Sequence, residues 1–160
     1  MDHTSTIKHN NSFVEFKEGG KTLQLIFIKR LYSYESEGWD KDIILAEVRF
    51  TTPSMEGGFS ANIWSTELNA LKNLLQKIIS QIGKSKSEEK FEFMEEAVKL
   101  NISLSATGQI ETEVTVCSNT SENELAKFTL YLDQSYLPSI IESLEGVLIE
   151  FPIQVNDSNS

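Results

Sequence analysis

Apolar and polar residues alternate through residues 13–16 (FVEF) and again through 22–28 (TLQLIFI), a period of two that predicts β-strands, and the intervening KEGGK supplies the glycines of a hairpin turn. The same period returns in 43–50 (IILAEVRF) and 59–64 (FSANIW), giving a third and a fourth strand. The period then changes. Leu68, Leu71, Leu75, Ile78, Ile79 and Ile82 recur three and four apart, which predicts an amphipathic helix, with Ser65 or Thr66 as its N-cap and Glu67 set favourably in its first turn. After Gly83 and the polar linker GKSKSEEK, four further strands are predicted at 91–94, 98–104, 110–116 and 125–132, joined by turns of small and polar residues. A second helix carries Leu137, Ile140, Ile141, Leu144, Val147, Leu148 and Phe151 at helical spacing, and Pro152 closes it.

The two halves of this pattern repeat each other. FSANIWSTELNALKNLLQKI and FTLYLDQSYLPSIIESLEGV align without a gap at an offset of 69, matching Phe59 with Phe128, Ile63 with Leu132, Leu68 with Leu137, Leu71 with Ile140 and Leu75 with Leu144. Upstream the offset is 77, matching Glu15 with Glu92, Phe16 with Phe93 and Glu18 with Glu95. The difference falls in the middle strands, where the first half carries the long segment YSYESEGWDKD. Hairpins link the strands and no helix lies between successive ones, so the sheet is expected to be antiparallel. The expected fold class is α+β: about eight strands in two pseudo-repeated units of four strands and one helix, forming one sheet or two, with both helices packed on the core face.

The chain length of 160 residues suits a single domain, expected over 13–153, with flexible tails at 1–12 and 154–160. No run approaches the length of about 20 apolar residues that spans a bilayer. The start, MDHTSTIKHNNS, has no basic region followed by an apolar run, so a cytoplasmic location is expected. Charge adds more. With 24 acidic and 14 basic residues the net charge is −10, carried almost wholly by residues 81–160. Such a surface repels phosphate backbones and anionic lipid, which argues against nucleic acid and membrane as partners and in favour of a basic protein.

Catalytic residue types are scarce. Both histidines, His3 and His9, lie in the polar N-terminal stretch, and Cys117 is the single cysteine, so neither a nucleophilic triad nor a zinc site is expected, and no cofactor. The Gly20-Lys21-Thr22 sequence lacks the glycine five positions earlier that a phosphate-binding loop needs; that place is Glu15, and a hairpin turn is the better reading. Glu111 and Glu113 alternate with apolar residues and project from the outer sheet face, where paired acids could serve acid/base chemistry but fit a solvated face better. The stretch DQSYLPS reads as a strand-to-helix junction, because Pro138 is comfortable only in a helix's first turn; this places the N-cap near Ser135.

The strongest candidate for function is YSYESEGWDKD. It sets Tyr32, Tyr34 and Trp39 among Glu35, Glu37, Asp40 and Asp42, in a connection longer than a hairpin requires. Rings supply buried contact area and acids steer an encounter with a cationic protein, so these seven residues are the expected partner-binding set. Trp39 folded onto the core as a lid is the alternative. A second candidate face comprises Glu92, Glu111, Glu113 and Tyr131, which would suit a structural or regulatory subunit binding another basic protein.

The order of GWDKDIIL, GGFSANIWSTELNAL, FMEEAVKLNISL, GQIETEVTV and DQSYLPSIIESLEGVLIEFPI resembles the WapI family of immunity proteins, over residues 13 to about 153. The most distinctive piece is Asp133, Gln134, Ser135, Tyr136 and Leu137, followed a helix later by Phe151 and Pro152. The resemblance implies a small cytoplasmic, non-enzymatic protein that binds and neutralises the C-terminal domain of a toxin made alongside it. For the family's namesake it implies a toxin that cleaves transfer RNA. An inhibitor occupying a basic RNA groove does well to be acidic.

Overall fold

The computed structural model describes residues 12–31, 38–117 and 124–154. Strands β1 (Phe13–Glu18), β2 (Lys21–Arg30), β3 (Ile43–Thr51) and β4 (Glu56–Trp64) form one antiparallel sheet in that order, followed by helix α1 (Ser65–Gln81). Strands β5 (Ser87–Glu92), β6 (Val98–Leu104), β7 (Ile110–Cys117) and β8 (Glu124–Leu132) form a second, followed by helix α2 (Leu137–Glu150). The α+β class and the repeated unit stand as expected, and the number of sheets, left open by the sequence, is two.

The ladders make the repeat quantitative. Val14, Leu25, Val48 and Phe59 lie in one row across the first sheet, and Phe91, Leu100, Val114 and Phe128 lie in one row across the second. Setting Phe59 on Phe128, 69 residues apart, brings Val14 onto Phe91, 77 apart, so hydrogen-bond register returns both offsets seen in the sequence. The helices match as well: Leu68, Leu71, Leu75 and Ile78 of α1 and Leu137, Ile140, Leu144 and Val147 of α2 are all buried. They and the inward strand residues of both units belong to one continuous apolar cluster.

Each unit leans on the other. α1 meets α2 and β5, while α2 meets β1, whose edge lies against β8. Glu18 Oε1 accepts the Tyr131 backbone N–H at 3.0 Å, and Glu95 Oε2 accepts that of Asn62 at 3.4 Å. Glu18 and Glu95 are 77 apart, Asn62 and Tyr131 69 apart, so one pseudo-twofold clasp is made twice. Lys21 Nζ adds a bond to the Thr129 carbonyl at 3.0 Å. Glu67, at the start of α1, accepts the N–H of Trp64 at 2.9 Å and that of Met94 just beyond β5. Burial raises the Glu67 pKa, against the pull of those two N–H donors, and the charge of Glu95 raises it further.

Several boundaries differ from the sequence reading, each for a local reason. β5 starts at Ser87, inside what reads as linker, and stops at Glu92. Its Glu88, Lys90 and Glu92 face solvent while Ser87, Glu89 and Phe91 are only half-buried, so an apolar pattern picks up just its end. Phe93 and Met94 belong to the following turn, where Phe93 N–H bonds to the Val98 carbonyl and Glu96 takes φ 56°. β4 starts at Glu56 and includes two glycines. Gly57 pairs directly with Phe50, and a Cβ at Gly57 would lie 2.7 Å from the Phe50 ring. Because Phe50 is buried it cannot swing away, and Gly57→Ala is expected to cost about 1–3 kcal/mol in a urea melt. An unchanged melt would show that the ring has room to move.

The caps differ too. Trp64, not Ser65 or Thr66, is the N-cap of α1, with Glu67 serving its N–H. At the second junction the N-cap of α2 is Tyr136, one residue past Ser135, and Asp133 caps the 3-10 turn (Gln134–Tyr136) that runs into the helix: its Oδ1 accepts both the N–H and the hydroxyl of Ser135 at 2.9 Å. These bonds to the ionised form hold the Asp133 carboxyl below its ordinary pKa. Gln134 Nε2 donates to the Gly108 carbonyl at 2.8 Å and Tyr136 Oη to the Glu15 carbonyl at 3.2 Å, so two side chains of the junction tie it to both sheets. Gly20-Lys21-Thr22 is the β1–β2 hairpin, with Glu18 opposite Lys21 and Gly19 at φ 57°.

Candidate partner-binding surface

The long connection leaves β2 at Arg30 and re-enters the sheet at Ile43. Leu31 N–H bonds to the Ile43 carbonyl at 3.0 Å, which closes its base, and residues Gly38–Asp42 form a 3-10 turn. Tyr32, Tyr34, Glu35 and Glu37 lie outside the described residues, as does the side chain of Trp39, so both readings of that tryptophan stay outside the described structure. Asp40 is exposed.

Asp42 has a different place from the one expected of a docking acid. It is 1% exposed, and its Oδ1 accepts the Gln154 N–H at 2.7 Å with Arg30 Nη1 3.8 Å away. Arg30 also donates to the Lys41 carbonyl at 2.7 Å and to the Pro152 carbonyl. The Asp42 carbonyl in turn takes the hydroxyl of buried Ser65 at 3.4 Å. Asp42 thus ties the foot of the loop to the start of α1 and to the chain beyond α2, and is itself removed from the surface. Composition of the loop alone does not distinguish it from Asp40. The signal that could have done so is Arg30, the one arginine at the loop's other foot.

The alternative face is assembled as the alternation implies. Glu111 and Tyr131 share an outward row of the second sheet with Glu88 and Ser103; Glu92 and Glu113 lie in the neighbouring outward rows. Two of its three acids have ion-pair partners within the chain: Glu92 pairs with Lys99 at 3.7 Å and Glu113 with Lys127 at 3.1 Å. The face is therefore of mixed sign, and Tyr131, 60% exposed, is its large hydrophobic feature. An open cleft of about 770 Å³ at the end of this sheet is lined by Gly108, Gln109, Tyr131, Asp133 and Gln134 among others, and neither Glu111 nor Glu113 opens into it. Among the described residues no group of three or more His, Cys, Asp or Glu side chains could hold a metal ion. No described helix is long and apolar enough to cross a membrane.

Among solved structures, the chain is similar to a plant transcriptional regulator, PBF-2, at 14% identity and a TM-score of 0.47, covering 87% of this chain and 82% of that one. It is similar to WHY1 from Arabidopsis thaliana at 13% identity and a TM-score of 0.46, covering 87% and 85%. No curated protein matches. The model of the immunity protein WapI-like family matches residues 13–152, most of the chain, and the protein belongs to that family.

Proposed function

We propose that this chain neutralises a toxin domain by binding it, without catalysing a reaction, and that it does so in the cytoplasm of the cell that makes the toxin. The observation that carries this reading is the family match across residues 13–152. The contact proposed is the acidic, aromatic loop: Tyr32, Tyr34, Glu35, Glu37, Trp39 and Asp40, held at its foot by Asp42 and Arg30. A net charge of −10 suits a basic partner, and a nuclease that acts on transfer RNA presents such a groove. Blocking that groove excludes the substrate by occupancy and charge alone, so no nucleic acid, membrane or cofactor enters the reading.

Co-expression provides the test. Cells making the toxin domain encoded beside this chain are expected to survive when the chain is also made. Changing Glu35, Glu37 and Asp40 to alanine, with Asp42 left in place, is expected to weaken binding at least about tenfold and to reduce its salt dependence. Rescue by the wild type with unchanged binding by the triple variant would remove the loop from the interface and leave neutralisation standing.

A further inference from the structure

The two pseudo-equivalent helices share four buried apolar positions, Leu68, Leu71, Leu75 and Ile78 on Leu137, Ile140, Leu144 and Val147, and part company on their exposed faces. α1 presents Asn73, Gln76 and Lys77 to solvent, whereas α2 presents Glu142, Glu145, Gly146 and Ile149. The spacing of these four puts them on one side of the helix. No basic residue follows Lys127 in the chain, so nothing on α2 offsets those carboxylates.

Two features of this face have no packing or turn role among the described residues. Ile149 is 82% exposed, the most exposed large hydrophobic among the described residues. Gly146 stands in the interior of a helix, where glycine is unfavourable compared with alanine, yet its φ lies outside the left-handed region and a Cβ there would meet nothing within 4 Å. A single exposed isoleucine is ordinary on a protein surface. Gly146, which neither turn nor packing among the described residues requires, leaves open space one position past Glu145 and three before that isoleucine.

We infer that this face of α2 docks against a basic protein surface, with Ile149 entering an apolar socket, Gly146 admitting the partner's backbone, and Glu142 and Glu145 opposing its lysines or arginines. The inference rests on the reading that the partner is a toxin domain. Just beyond α2 the Pro152 carbonyl accepts Arg30 and the Gln154 N–H bonds to Asp42, so the chain leaving the helix is tied to the foot of the loop. Glu150 is left out of the docking set, since the Ser12 hydroxyl already donates to it.

The test is a titration of the full chain against the purified toxin domain encoded beside it, paired with a thermal melt. Gly146→Ala is expected to hold or raise the melting midpoint, because it favours the helix, while weakening binding about tenfold or more. Ile149→Ala should weaken binding similarly with the midpoint unchanged, and Glu142→Lys with Glu145→Lys should also flatten the salt dependence. Lys77→Glu, on the corresponding face of α1, should leave binding unaltered. Wild-type affinity in Gly146→Ala and Ile149→Ala would overturn the inference while the proposed function stands; a wild-type chain that binds no toxin domain would overturn both.

Discussion

Replacing Leu75 with alanine is expected to destabilise the protein by about 2–5 kcal/mol, and replacing Leu144, its equivalent 69 residues later, by a similar amount. Each is fully buried, and each loses both transfer free energy and the contacts that a cavity leaves unmade. A loss of that size is a large share of the roughly 5–15 kcal/mol that holds a domain together. Because the buried residues of the two units form one cluster and the helices meet, either substitution is expected to lower a single unfolding transition instead of splitting it. Urea melts followed by circular dichroism and by tryptophan fluorescence measure this. Two separated transitions in the Leu75→Ala protein would show that the units fold independently.

Asp42→Ala is expected to cost about 2–3 kcal/mol, because it leaves the Gln154 N–H without its carboxylate acceptor and Arg30 without its buried neighbour. Asp42→Asn keeps an acceptor for that N–H and gives up only the charge, so it should recover more than half of the loss. The comparison separates a structural role from a docking one. If Asp42→Ala left the melt unchanged but weakened toxin binding, the carboxylate would belong to the interface after all. For this reason the acids of the loop should be varied with Asp42 intact.

Much of the architecture was legible along the chain. Periods of two and of three to four gave the strands and helices. The offsets of 69 and 77 gave the repeat, since both units must bury the same stripe on the same kind of sheet. Legibility failed where a strand buries little, as at Ser87–Glu92, and where a neighbour's ring stands in for a missing side chain, as at Gly57 under Phe50. It failed again where charge is used for assembly. The match of Glu18 with Glu95 is visible in the alignment, but only the fold shows that each reaches across to the last strand of the other unit. The candidate surface divides in the same way. Composition picked out the loop; burial then separated Asp42 from Asp40, and the outward face of α2 came to notice only once its partner helix showed what an unspecialised face contains.

The central claim is that this protein binds a toxin domain and silences it. Titrating purified chain into the purified toxin domain encoded beside it, with the toxin's activity followed in the same samples, tests that claim directly. A saturable complex is expected whose affinity falls as salt rises, with toxic activity lost in proportion to the complex formed. Full toxic activity in the presence of an excess of folded chain, with no complex at micromolar concentrations, would contradict it.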